Sequence, residues 1–157
     1  MRKPHFTMKR IFLHIINPMI ENCVFINGFQ RTALLRFMGY KNIDKNVFIG
    51  KGVCLDELYP LGIHIKSGCT ITRGAVFITH YHNTKEFTWE RGEIFIGENV
   101  YVGCNAIICK PVTIGDNTLI AAGAVVVKNC ESNSIYGGVP AKKIGVYMNN
   151  KPFVKKF

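Results

Sequence analysis

Residues 96–130 read IGENVY, VGCNAI, ICKPVT, IGDNTL, IAAGAV and VVKNC, and this stretch decides the fold. Taken in steps of six from Ile96, the first members are Ile96, Val102, Ile108, Ile114, Ile120 and Val126, every one a branched aliphatic. The fifth members are Val100, Ala106, Val112, Thr118, Ala124 and Cys130, all small or medium. A period of six suits neither an amphipathic helix, which repeats every 3.6 residues, nor a half-buried strand, which repeats every 2. It suits short parallel strands joined by tight turns, each sending one large and one small side chain into a narrow prism. Stacked coils then pair strand on strand about 4.8 Å apart, and each coil buries its apolar face only against its neighbours. Glycine at the second place (Gly97, Gly103, Gly115) marks a corner needing positive φ or close backbone approach.

Outward from this stretch the lattice continues with breaks. Ile43, Ile49 and Leu55 stand six apart, with Val47 and Val53 at the fifth place. It resumes at Ile65, Ile71 and Phe77, with Cys69 and Ala75 at the fifth. From Phe77 to Ile96 the chain travels nineteen residues, so a polar loop of about 84–95 is expected to leave the prism. That loop carries Phe87 and the only tryptophan, Trp89, and a long excursion from a repeat scaffold is usually functional.

The first forty residues abandon the hexad rule. Ile11, Phe12, Ile15, Ile16, Met19 and Ile20 keep helical spacing, broken or kinked by Pro18, and a second helix is expected from about Gln30 to Met38, stopped by Gly39. These helices would cover the open edge of the first coil. The segment has six Lys/Arg against one acid, Glu21, so it also suits a peripheral contact with an anionic membrane. The expected organisation is a helical cap over 1–40, the coil over 41–144 and a basic tail over 145–157.

Composition narrows the field. The chain has 157 residues, 48% of them apolar and 19% charged, which suits one packed unit rather than a disordered chain. No stretch approaches the ~20 apolar residues of a membrane span, and no cleavage site follows Ile11–Ile26. The six cysteines form no C-x-x-C pair, which favours reduced thiols and a cytoplasmic setting, and the basic first segment would suit the inner face of the membrane. Cys69 and Cys130 fall at inward positions and are expected to be inert. The formal charge of +10 comes without an RNP, zinc-finger or helix-turn-helix pattern, so an anionic cofactor or glycan is expected rather than nucleic acid.

The hexads over Ile43–Ile144, closed by Gly138-Val139-Pro140-Ala141-Lys142, resemble the hexapeptide-repeat acyltransferases, in particular the sugar and polysaccharide O-acetyltransferases. The resemblance implies an all-β-dominated fold, a left-handed parallel β-helix with three hexads per turn. The period itself says nothing of handedness. It further implies a homotrimer with active sites between subunits, and acetyl-CoA as co-substrate with no metal. The expected function is acetyl transfer to a hydroxyl of a sugar or glycan precursor, as in polysaccharide biosynthesis.

The resemblance also assigns residues. A histidine just before the excursion is the family's catalytic base, which points to His80 in Thr79-His80-Tyr81-His82, with His82 as the alternate. Imidazole titrates near ~6.5 and suits proton removal from a hydroxyl that attacks the thioester directly. Asp56 and Glu57, in the earlier break, are expected to fix the histidine tautomer or to line the acceptor pocket, with Tyr81 and Trp89 beside it. For the cofactor, Gly103, Cys104 and Ala122 are expected along the pantetheine arm, with backbone N–H groups near Gly103 and Cys104 polarising the thioester carbonyl. Lys128, Lys142 and Lys143 are expected near the phosphates. The competing readings are an N-acetyltransferase on an amino sugar or amino acid, a non-catalytic β-helix binding module, and a zinc enzyme using His64 and His82, which stand eighteen residues apart.

Overall fold

The structure, a computed structural model, describes residues 16, 18–109, 111–148 and 151–154. Its first-place residues all turn inward: Ile43, Ile49, Leu55, Ile65, Ile71, Phe77, Ile96, Val102, Ile108, Ile114, Ile120 and Val126 are at most 1% exposed. The fifth-place residues share that core, from Val47 to Cys130.

Successive strands rotate through three parallel sheets. One holds β1 (Phe48–Ile49), β4 (Thr70–Ile71), β9 (Tyr101–Val102), β12 (Leu119–Ile120) and β14 (Ser134–Gly137). The second holds β2 (Cys54–Leu55), β5 (Val76–Ile78), β10 (Ile107–Cys109) and β13 (Val125–Val126). The third holds β3 (Ile63–Ile65), β8 (Ile94–Ile96) and β11 (Val112–Ile114), extended by bridges from Ile43 to Ile65 and from Ile114 to Cys130. Register is set coil to coil: Ile49 lies beside Ile71, Ile71 beside Val102, and Val102 beside Ile120. The result is a three-walled, mostly β coil.

Its corners use two different devices. The second-place glycines serve close approach: a Cβ on Gly103 would lie 2.4 Å from the Ala122 backbone nitrogen, and one on Gly97 2.7 Å from that of Asp116. Positive φ falls instead at the fourth place, on Gly52, Gly68, Gly74, Asn99, Asn105, Asn117 and Gly123. Glycine and asparagine are the residues that tolerate that region. Asn99 donates to Asn117, and Asn117 to Asn133, so one corner carries a ladder of side-chain amides.

The coil is closed at both ends. The helix α1 (Gly28–Met38) starts two residues earlier than its apolar spacing suggests, because Asn27 and Gln30 form a reciprocal capping box. Gly39, with φ of 129°, ends it as expected. Its buried Arg31 donates to the carbonyls of Ile20, Cys23 and Ile49, and Thr32 donates to Val47 O, so the edge of the first coil is satisfied by side chains. Of the expected first helix, residues 18–22 are helical, and 1–15 lie outside the described residues. At the other end the expected tail is structured: β15 (Lys142–Met148) pairs antiparallel with β14, and β16 (Lys151–Val154) with β15. Among the described residues no helix is long and apolar enough to cross a membrane.

The excursion also departs from expectation. It is a hairpin of β6 (His80–Asn83) and β7 (Thr88–Arg91) rather than a loop over 84–95, and the coil resumes at Ile94. The departure therefore begins at His80 itself.

Candidate active site

Asp56 and His80 leave adjacent strands of the second sheet at the same corner, since Leu55 in β2 pairs with Phe77 in β5. The Asp56 carboxylate is buried, its side chain 3% exposed, and every nearby donor points at it. Its Oδ2 accepts from the Thr79 N–H (2.8 Å), the Thr79 hydroxyl (2.7 Å), the His80 N–H (3.2 Å) and His80 Nδ1 (2.6 Å). Its Oδ1 accepts from the Leu58 N–H at 2.9 Å. Burial pushes the carboxyl's pKa up. The bonds from the Thr79 hydroxyl, Leu58, His80 and the Thr79 backbone outweigh that and hold it below the ordinary aspartate value. An ionised carboxylate only accepts, so His80 Nδ1 carries the hydrogen, and in the neutral ring the lone pair falls on Nε2. Among the described residues Nε2 has no hydrogen-bond partner, and the ring remains one-third exposed.

The hairpin sorts its side chains by strand alternation. His80 and His82 share one face with Trp89, whose ring centroid lies 5.9 Å from that of His80 and 5.4 Å from that of His82. Trp89 is 68% exposed, a free aromatic wall beside the histidine. Tyr81 points to the opposite face, where its hydroxyl donates to Glu90 at 2.5 Å, so the structure does not bring Tyr81 to His80. That bond raises the Tyr81 pKa and lowers that of Glu90. His82 is exposed and is held by ring contacts with Phe87 and Trp89, without a carboxylate among the hydrogen bonds found. Of the two histidines, His80 has the orienting partner.

Glu57 follows Asp56 into the same break, and a third carboxyl joins them. Glu21, from the helical turn 18–22, is pushed up to about 7, first by burial and then by the charge of Glu57. Nothing in the hexad pattern points to Glu21. Its only sequence signal is being the lone acid in a basic segment.

The residues assigned to the cofactor divide between corners. Gly103, Cys104 and Ala122 stack where the first sheet turns into the second: the Gly123 N–H donates to Cys104 O, and Gly103 lies against Ala122. Lys142 opens β15 opposite Gly137 at the end of that same row. The Gly103 N–H is already engaged, donating to Ile120 O at 2.8 Å, so it does not polarise a thioester carbonyl. Lys128 belongs to the His80 end of the second sheet, just past β13. Lys143 forms an exposed ion pair with Glu131 at 2.6 Å, which competes with a role on phosphate. One chain thus sets the Asp56–His80 pair and the Gly103–Ala122 row at opposite edges of the second sheet.

His64 and His82 do not come together. His64 binds Glu93 at 3.1 Å, stacks on Phe95 and with it lines a groove of about 790 Å³ along the third sheet, which none of the residues assigned to acetyl transfer lines. The core thiols behave as expected, burial pushing Cys69 and Cys130 up to about 11. Cys54 and Cys104 are exposed.

Residues 93–128 match the family profile described as bacterial transferase hexapeptide (six repeats). Protein CapG of Staphylococcus aureus is 36% identical over 144 residues, covering 87% of this chain and 77% of that protein. The bifunctional protein GlmU of Streptococcus agalactiae is 32% identical over 152 residues, and the match spans only 32% of its length. Among solved structures, a maltose O-acetyltransferase from Clostridium difficile superposes with a TM-score of 0.67 at 22% identity, over 87% of this chain and 84% of that one. The hexapeptide-repeat acetyltransferase VCA0836 of Vibrio cholerae, solved with acetyl coenzyme A, gives 0.64 at 20% identity, over 90% and 86%. With a relative this similar along most of both chains, and the repeat itself visible as a three-walled coil, the chain belongs to the hexapeptide-repeat acyltransferase family.

Proposed function

We propose that this protein moves an acetyl group from acetyl-CoA to a hydroxyl of a sugar or glycan precursor, with His80 as general base. The observation that carries the reading is the 2.6 Å bond between His80 Nδ1 and a buried, fully hydrogen-bonded Asp56. It leaves Nε2 without a partner among the described residues, on a ring whose centroid lies 5.9 Å from that of exposed Trp89. The acceptor oxygen gives its proton to Nε2 as it attacks the thioester carbonyl carbon. The tetrahedral intermediate then collapses, the C–S bond breaks, and the imidazolium returns the proton to the CoA sulfur. Asp56 stabilises the imidazolium in between. Glu57 and Trp89 contact the acceptor in this reading, while Cys104, Ala122, Lys128 and Lys142 follow the CoA arm and its phosphates.

The coil is left-handed in this reading, and three copies assemble with the Gly103–Ala122 row of one facing the His80 corner of the next. Support comes from the separation of these two sets within one chain and from the fold shared with the maltose enzyme and with the acetyl-CoA complex. The test is steady-state turnover with acetyl-CoA and a panel of sugars and amino sugars. His80→Ala is expected to lower kcat by at least about a thousandfold with CoA affinity unchanged. Undiminished turnover in that variant rejects the role. Acetylated amines in place of esters would move the activity to nitrogen, and the absence of any CoA binding would leave a binding module.

A further inference from the structure

The helix α1 carries large apolar side chains on its outward side as well, beside Gln30 and Arg36. Leu35 and Met38 pack inward, while Phe29 and Phe37 lie one and three turns along a row that faces out, 51% and 91% exposed. Leu34 on the helix is exposed too, as are Met19, Val24 and Phe25 of the preceding segment, Phe25 at 93%. At about 200 Å² per ring the three phenylalanines alone offer roughly 450 Å², near the largest apolar patch an ordinary monomer leaves open.

The position of the patch restricts what covers it. The side chains that fasten α1 and its C-terminal turn reach carbonyls of the first coil: Arg31 to Ile49 O, Thr32 to Val47 O, and Tyr40 to Leu55 O. The strands β1 and β2 are the terminal members of their sheets, so the cap closes the end of the coil axis, not one of its walls. Copies packed side by side leave such ends open and aimed the same way. Copies packed end to end would press like charges together, half-buried Arg36 and exposed Lys41 and Lys45 of one against those of the other, in a chain that carries +10.

We infer that the outer face of the cap docks on a lipid bilayer bearing anionic headgroups, its rings entering the headgroup boundary and its cations meeting the surface charge. This holds whatever the coil's chemistry. A flat surface is also the one partner that several parallel caps meet at once, which multiplies a weak single contact.

The experiment is co-sedimentation of the full chain with vesicles of phosphatidylcholine alone, and with phosphatidylglycerol added at about one part in three. Binding is expected to the anionic vesicles only and to weaken with salt. Phe25→Ser/Phe37→Ser is expected to lower the partition at least roughly tenfold, because burying one such ring is worth about that factor. Light scattering should give the same particle mass for this variant as for the parent, and turnover in solution should be unchanged. Failure of the parent to bind anionic vesicles, equal binding by the variant, or a change in its oligomeric mass overturns the inference; the last would make the face a contact between copies.

Discussion

Replacing Asp56 with asparagine removes one charge and almost no volume, so its effect reads the Asp56–His80 pair directly. Five donors converge on the carboxylate, four on Oδ2 and one on Oδ1. An amide places an acceptor on one side only. The better placement keeps the oxygen toward Thr79 and His80 and turns the NH₂ against the Leu58 N–H. That leaves a buried donor unmet, about 1–3 kcal/mol of stability. The catalytic loss comes from the imidazolium, which exchanges a charge-assisted bond for a neutral one at the moment it forms. At about 3 kcal/mol this is roughly a hundredfold in kcat, with KM for acetyl-CoA unchanged. The assay should follow thioester absorbance rather than a thiol dye, because exposed Cys54 and Cys104 would react with the dye. Thr79→Val is the control: it removes one donor and keeps the His80–Asp56 hydrogen bond, so only a few-fold loss is expected. A folded Asp56→Asn protein with parental kcat, or a Thr79→Val protein equally impaired, refutes the assignment. The lowered folded pKa of Asp56 adds a sign: its stabilisation is whole above the ordinary aspartate value of about 4 and fades as pH falls through the folded value. Acid melting curves of parent and variant should therefore converge toward low pH.

Glu21→Gln tests the opposite sign. A carboxyl raised to about 7 in the folded state destabilises as pH climbs from about 4.5 to 7, so the variant should gain about 1–2 kcal/mol at pH 8, after discounting for partial exposure, and nothing near pH 4, by urea titration. Arg31→Met leaves the carbonyls of Ile20, Cys23 and Ile49 without their donor and should lower unfolding free energy by about 3–5 kcal/mol; a loss below about 1 kcal/mol would mean the cap is not fastened there. Gly103→Ala drives a methyl to 2.4 Å from the Ala122 nitrogen, and about 1–3 kcal/mol of stability should be lost together with weaker acetyl-CoA binding, read by thermal shift and by isothermal titration.

The coil was legible because its constraint is local and repeated: one large and one small side chain per strand, six residues apart, left a trace from Ile43 to Cys130. The fourth-place run of glycine and asparagine was equally periodic, and it marks the positive-φ corners more directly than the second-place glycines. The hairpin was not legible as strands. Its segments, His80–Asn83 and Thr88–Arg91, are too short and polar for a period, and what pairs them is the fixed spacing of β5 and β8 beneath. Likewise Asp56 in isolation reads as a turn acid before Pro60, and only the register of Leu55 with Phe77 brings it to His80. Arg31 left no pattern, and Glu21 only its place as the lone acid of a basic segment, since their partners are backbone carbonyls and a carboxyl far along the chain.

A coil whose turns touch only their neighbours has no long-range fastening, so it comes apart by unravelling rather than all at once. Here both ends are plugged, by α1 on one side and the β14–β16 ribbon on the other. Amide hydrogens of the middle turns, around β9 and β10, are then expected to exchange last. Loosening either plug should start a front that shortens the protein's lifetime without altering the packing of a single interior turn.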